Sequence, residues 1–594
     1  MNIAVIDSGI NMESPFAKEC VIEGGIEISE NEQGEIVYSS NLNDELGHGT
    51  AVTNAIVNLI PECHIIPIKI IKDKKMPDCN LVCEALRYIY ENVDCDIINL
   101  SAGIVCCSER DELYDCCKKL CDKGVIIVSA YDNDEAVAYP AAFDCVIGVQ
   151  GTRTKFKNGY YMRVAGENAD FMGCSREKRL YMLTGYEVCS GNSFLTAEFV
   201  ERVAKLKQRG LKTFREIVDG LNAEASRTID GRDYKALQIP FEINRAIVFP
   251  FNKEMQVLAR LGDRLKFEVV DFYDSKYSPN IGVKIGEICH MEDKRVVKAI
   301  KKLDWESDFD TVILGHTTLL SNAAKFNYEE YIVEQCKKYH KKLVSCRDIR
   351  NLGEKLQGLE YYCPYVDAKK LPDFLNMHVI STPVVGVVGT GSSQGKFTLQ
   401  IELRAELEKQ GYRVAQIGTE PTAQLFGMEC VYPMGHESAV YPKGFQAVYE
   451  LNCMLGYLQS LSPDIILYGS QANTVPFVAG GAANYPVVQH ELVLGCQADA
   501  YILCVSDDAP VDYIKRTISY LEGVYPSKVI ALYLSSLSIK SRFSAISAER
   551  KLKTEQEMNE WKQNLQKEIA LPLISSRDTD HCAQLVEVIT DYFS

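Results

Sequence analysis

Three short stretches near the start of the chain place an acid, an imidazole and a hydroxyl where they could act on one another. The strand-like run IAVID ends in Asp7, followed by Ser8 and Gly9. DELGHGTAVTNAIVNLI sets His48 between two glycines at the start of an apolar-periodic helix, and CSGNSFLTAEFVERVAKL sets Ser193 at another helix start, after Gly191. Taken singly, an aspartate after a strand is a cap or turn residue, and a serine before a helix is an N-cap. Taken together, in the order Asp, His, Ser, they supply an activated serine. The hydroxyl needs an imidazole to take its proton, and the imidazole needs a carboxylate to hold its tautomer and stabilise its charged form. Cys189, close to Ser193, is a rival nucleophile, but it lacks the glycine-flanked setting and reads as structural.

A second chemistry is spelled by PVVGVVGTGSSQGKFT. VVGVVG reads as a buried strand, GTGSSQ as a turn, and GKFTLQIELRAELEKQG as a helix ending at Gly411. Strand, glycine-rich loop and helix together make an anion cradle of backbone N–H groups. Gly389, Gly391, Ser392, Ser393 and Gly395 would line it, and Lys396 would add a point charge. The strict phosphate-loop pattern fails at Thr390 and Phe397, and its hydroxyl arrives one place late, at Thr398. The expected ligand is ATP or GTP with magnesium, held through Thr398 and Glu420. PDIILYGSQANT offers Tyr468-Gly469-Ser470-Gln471, with no acid for the metal. No cofactor is expected for the serine chemistry.

The run CCSERDELYDCCKKLC gathers Cys106, Cys107, Cys116, Cys117 and Cys121. Zinc favours cysteine pairs about two to four residues apart, and no C-x-x-C occurs there, so packing of small apolar side chains is the expectation.

The elements that must carry these residues form three alternating α/β blocks. The first runs to residue 225, with strand candidates at Ile3–Ile6, Cys63–Ile71, Asp96–Leu100, Gly124–Ser129 and Cys145–Val149. A polar connection, SRTIDGRDYKALQIP, leads to a Rossmann-like block over 245–380, which lacks G-x-G-x-x-G and so predicts no NAD. A P-loop NTPase-like block fills 383–594, and its segment AERKLKTEQEMNEWKQNLQKEI reads as one charged surface helix.

The first block resembles the subtilisin-like serine peptidases. VID-G, HGT-V and G-S-F–A follow that family's motifs in order, and YPAAFDCVIGV follows as the family's Tyr-Pro-Ala segment does. The resemblance implies a parallel-sheet peptidase fold. It makes Asn133, in GVIIVSAYDND, the side-chain donor of the oxyanion hole. It also makes Ser101, Ala102 and Gly103, in DIINLSAGI, a strip that binds peptide by strand addition. The chain departs from the family at Gly191-Asn192-Ser193, where Gly-Thr-Ser is usual, and at Tyr131-Asp132-Asn133, where Ala-Gly-Asn is usual. Asp132 beside an oxyanion donor is expected to oppose the charge that develops there. Six residues precede Asp7, so no propeptide like that of secreted relatives is expected. The phosphate loop is similar to those of dethiobiotin-synthetase-like proteins and of an amino-acid-metabolism family with a Rossmann-like N-terminal half. Through PFNKEM, GTGSSQGKFT and GTEPTAQLFGM, residues 245–594 resemble the clostridial peptide-maturation-system proteins encoded beside radical-SAM enzymes. That likeness implies a precursor peptide as substrate and a radical-SAM enzyme as partner.

Composition frames these expectations. Of 594 residues, 46% are hydrophobic and 24% charged, as in folded soluble protein. A net charge of −17 gives no general attraction for nucleic acid or an anionic membrane. No apolar run reaches the roughly 18 residues of a membrane span, and no signal peptide opens the chain, so a cytoplasmic protein with reduced thiols is expected. The function implied is a serine endopeptidase that removes a leader from a ribosomally synthesised precursor, with a nucleotide-binding module. The alternatives are a catalytically silent peptide-binding scaffold, or an ATP-dependent ligase or acyltransferase centred on the P-loop half.

Overall fold

Runs such as NIAVID, IINL and IIVSA carry apolar residues on both faces, as the strands of a doubly covered parallel sheet must. In the computed structural model each is a strand buried on both sides. The structure describes residues 1–594 except 32, 73–77, 102, 106, 108, 134–136, 153–160, 165–167, 230–233, 369–376, 436, 479, 482–484, 508 and 542–548. The fold is α/β with parallel sheets, and the described chain divides into two compact units, 1–233 with 371–379, and 234–370 with 380–594.

The first unit is built on an eleven-stranded sheet. Its centre is Asn2–Asp7, flanked in parallel by His64–Lys69 and Ile97–Leu100. Ile126–Ala130, Ile147–Thr152 and Ala169–Cys174 continue the parallel run beyond Ile97–Leu100. All five strand candidates of the sequence are present. Arg227–Ile229 still pairs with Tyr161–Val164 in this sheet, so the unit runs past residue 225, where the sequence drew its boundary. The helix His48–Leu59 buries one face on the sheet together with Asn192–Gln208, and both begin at the carboxyl end of the central strands.

The second unit holds two parallel sheets, of six and seven strands. In the six-stranded sheet, Arg245–Phe249 lies between Glu268–Asp274 and Thr311–Leu314, and Lys342–Ser345 follows. In the seven-stranded sheet, Val384–Gly389 lies between Ile465–Gly469 and Ala500–Val505. Where the sequence suggested two domains, 245–380 and 383–594, both sheets fall in one compact unit. The charged segment expected as one helix is divided. Glu549–Leu552 is a strand, and the helix starts only at Glu555. Thr554 and Glu557 form a capping box that fixes this start. No helix among the described residues is long and apolar enough to cross a membrane.

Candidate active site

Asp7 closes the central strand, 1% exposed. His48 opens its helix, with Gly47 in the left-handed region at φ 83°. A Cβ at Gly49 would lie 2.3 Å from the Gly9 carbonyl oxygen. Only glycine there lets the helix start come down onto the strand end, and His48 Nδ1 then meets Asp7 Oδ1 at 2.8 Å and Oδ2 at 3.0 Å. The backbone N–H of Ser8 donates to Asp7 Oδ1 at 2.7 Å, and the Ser101 hydroxyl donates to Oδ2. Burial alone would raise the Asp7 carboxyl. The His48 charge and these hydrogen bonds outweigh it and hold the pKa below the ordinary value. The Asp7 carboxylate in turn raises His48 above 6.5, against the opposing effect of burial.

The sequence reading missed Asp44. Its carboxylate accepts from the N–H groups of Leu46, Gly47 and Thr50 and from the hydroxyls of Ser8 and Thr50, all at 2.7–3.0 Å. It satisfies the otherwise orphaned donors at the start of the His48 helix and ties that start to the residue after Asp7. An aspartate shortly before a helix is a readable cap signal.

Ser193 is the second residue of its helix, where the dipole and free N–H groups favour a developing anion. Its hydroxyl donates to the Ser101 carbonyl at 3.0 Å, and no hydrogen bond joins it to His48. To act as a nucleophile the hydroxyl must turn from that carbonyl to the imidazole. Giving up one hydrogen bond costs about 1 kcal/mol, far less than the catalysis at stake. Phe194 packs its ring 5.3 Å from that of His48.

Asn133 accepts from the Asn192 N–H through Oδ1 at 3.0 Å, which leaves its Nδ2 to donate elsewhere. Asn192 is buried, and its side chain accepts from the Gly151 N–H at 2.7 Å and donates to the carbonyls of Tyr131 and Asp132, each at 3.0 Å. The unusual asparagine therefore clamps the oxyanion segment to the nucleophile helix, a role the sequence reading did not anticipate. Asp132 is only partly buried, so solvent screens its charge. Asn133→Ala is expected to lower kcat by about 10²–10³ with little change in KM, which steady-state kinetics on a peptide substrate would register.

Of the predicted peptide strip, Ala102 lies outside the described residues. Ser101 is committed inward, to Asp7 and Ser193. Gly103 is tightly packed, since a Cβ there would lie 2.8 Å from that of Ala138. His48 must be neutral to accept a proton. The account therefore predicts that kcat/KM rises with pH along a limb centred above 6.5, because Asp7 raises the imidazole. A pH–rate profile whose limb fell below that value would contradict the pairing.

In the second unit the loop after Val384–Gly389 turns into the helix Lys396–Lys409, with Ser393 and Gly395 at φ 64° and 82°. Lys396 Nζ donates to the Gly391 carbonyl at 2.6 Å. Burial pulls its pKa down to about 8. Gln394 takes the Gly391 N–H at 3.0 Å and donates to the hydroxyls of Thr390 and Ser506. A Cβ at Gly389 would lie 2.6 Å from Gln394 Oε1 and 3.1 Å from Lys396 Nζ, so a larger residue there would displace both side chains. Ser392 is exposed, and the hydroxyl of half-buried Thr398 has no hydrogen-bond partner among the described residues. Burial raises the Glu420 carboxyl, while a hydrogen bond from Gln471 and the charges of Lys396 and Lys253 hold it back. Lys253 belongs to the PFNKEM motif, so that motif and the phosphate loop share one electrostatic environment. Beside it, His316 meets Glu437 at 3.2 Å and Glu254 at 3.7 Å, and Arg347 meets Glu329 at 3.0 Å. Sequence reasoning singled out none of His316, Arg347 or Glu437, because they follow different strands.

In the cysteine-rich run, Cys106 lies outside the described residues. The thiols of Cys79 and Cys107 approach to 2.8 Å, and Cys83 hydrogen-bonds Cys116, whose pKa this lowers. The described cysteines are free thiols.

Comparison with known proteins matches residues 1–227 to the subtilase family and residues 375–583 to the P-loop domain of DUF1611, a domain of unknown function. No curated protein matches the chain. Among solved structures, a DUF1611 family protein from Anabaena variabilis is 15% identical, covers 59% of this chain and 100% of its own, and has a TM-score of 0.42. The prenylagaramide maturation protease PagA is 17% identical, covering 40% of this chain and 86% of its own, with a TM-score of 0.31. A cold-adapted subtilisin-like serine proteinase is 18% identical, covering 38% and 84%, with a TM-score of 0.31.

Proposed function

We propose that the chain is a cytoplasmic serine endopeptidase that cuts the leader from a ribosomally synthesised precursor peptide, through a subtilase unit joined to a nucleotide-binding P-loop unit. The observation that carries the peptidase reading is the Asp7–His48 pair at the strand end, with Ser193 at a helix start and Asn133 bonded beside it. In this mechanism Ser193 Oγ attacks the scissile carbonyl as His48 Nε2 takes its proton. Asp7 stabilises the resulting imidazolium. Asn133 Nδ2 and the Ser193 N–H hold the oxyanion. His48 then protonates the leaving amine, and water, activated by the same imidazole, releases the acyl group. The precursor substrate and a radical-SAM partner rest on the resemblance of residues 245–594 to peptide-maturation-system proteins. The free thiols support a reducing compartment.

The second unit fits a phosphate group. A buried lysine without a carboxylate bonded to it, a helix start, and the tight turn at Ser393 and Gly395 suit an anion. Gly389, Gly391, Ser392, Ser393, Gly395 and Lys396 would hold the phosphates of ATP or GTP, with Thr398 and Glu420 toward magnesium. The bound nucleotide would supply a phosphoanhydride. The convergence of Lys253, Lys396 and Glu420 favours a second reading, in which this unit catalyses a ligase or acyl-transfer step of its own.

One experiment separates the two. The full chain is incubated with the candidate precursor, with and without ATP and magnesium, and followed by mass spectrometry. Cleavage that needs Ser193 supports the first reading, and an intact precursor under all conditions contradicts it. Lys396→Ala is expected to abolish nucleotide binding by calorimetry. If it also stops product formation from an already cleaved peptide, the second reading holds as well.

A further inference from the structure

Beyond the phosphate loop, its helix Lys396–Lys409 lies against the C-terminal helix His581–Phe593. Leu399, Leu403 and Leu407 share a core with Leu585, Val586 and Ile589. At one end of this seam stand a carboxylate, an imidazole and a thiol: Glu402, His581 and Cys582. One ligand atom from each lies within 4.8 Å of the other two. The imidazole is already oriented. Its Nδ1–H donates to the Asp578 carbonyl at 2.8 Å, and Nε2 faces Glu402 Oε2 at 3.3 Å. A carbonyl on the distal ring nitrogen is the outer-shell contact that metal-bound histidines use to fix tautomer and angle.

Either a proton on Nε2 or a metal ion can bridge these two atoms. At 3.3 Å the gap exceeds the roughly 2.7–2.9 Å of a charge-assisted hydrogen bond. It equals the N···O separation of about 3.3 Å that metal–ligand bonds of about 2.0–2.1 Å give at the tetrahedral angle. The donor set is one nitrogen, one oxygen and one sulfur. The thiolate disfavours magnesium and calcium, and the mixed set suits zinc. His581 is 18% and Glu402 30% exposed, which leaves room for solvent as a fourth ligand. The Tyr533 ring lies 5.8 Å from that of His581, tilted by 47°, and comes within 4.0 Å of where a Cβ on Gly395 would stand.

We propose that Glu402, His581 and Cys582 form a zinc site that fastens the C-terminal helix to the phosphate-loop helix. The test uses the full chain, loaded with zinc and dialysed against a weak chelator, with bound metal measured by elemental analysis. Wild type is expected to retain one equivalent more than Glu402→Gln, His581→Ala or Cys582→Ser. The cobalt-substituted protein is expected to show a thiolate-to-metal charge-transfer band that Cys582→Ser lacks. A readout on wild type alone guards against a misfolded variant: zinc should slow alkylation of Cys582, mapped by mass spectrometry, more than that of half-buried Cys20 and Cys174. Peptide hydrolysis should be unchanged in all three variants. Equal zinc retention by wild type and the variants, or alkylation of Cys582 indifferent to zinc, would overturn the proposal.

Discussion

Ser193→Ala is expected to lower kcat for peptide hydrolysis by about 10⁶, a loss of about 8 kcal/mol of transition-state stabilisation. His48→Ala should lose about as much, and the double variant hardly more, because nucleophile and base act as one device. The bond from Ser193 to the Ser101 carbonyl does not alter this expectation. Breaking it costs about 1 kcal/mol, roughly a fivefold effect against a millionfold one. KM should stay close to wild type, since neither side chain supplies the main binding surface. Single-turnover and steady-state rates on one peptide would check both points. If Ser193→Ala kept a tenth of wild-type activity, another nucleophile would be at work.

Asp7→Asn is the second large effect, with an expected fall in kcat of about 10⁴, or about 5 kcal/mol. The carboxylate accepts from His48, from the Ser8 N–H and from the Ser101 hydroxyl. An amide can replace only part of that acceptance, and it holds the imidazole in the wrong tautomer. The same substitution removes the largest cause of the raised His48 pKa. The acid limb of kcat/KM should therefore move to lower pH as the maximum rate falls. A merely structural role for Asp7 would lower the rate without moving the limb.

The parts of this site that were legible in the sequence are those whose chemistry forces a local pattern. Gly47 and Gly49 flank His48 because the helix start must reach the strand end, and Gly191 precedes Ser193 at φ 138°. Such constraints leave their mark within a few residues. Asn192 was read as a departure because its partners, Gly151, Tyr131 and Asp132, lie on other strands and loops. Ser101 was expected on the peptide strip for its backbone alone, and its hydroxyl's bond to a carboxylate 94 residues away left no local pattern to read. The parallel strands were legible as apolar runs, whereas the short antiparallel pair Lys178–Tyr181 and Tyr186–Cys189 was not, being half exposed and without an apolar run. Thr554 shows the opposite case, a capping box readable as T-x-x-E that the charged helical pattern around it obscured.

The central claim is that Ser193 is a nucleophile activated by His48, and labelling with a fluorophosphonate probe tests it most directly. The account predicts rapid covalent labelling of the wild-type chain, mapped to the peptide containing Ser193, with no labelling of Ser193→Ala and little of His48→Ala. Equal labelling of wild type and Ser193→Ala, or none of the folded wild-type chain, would contradict it.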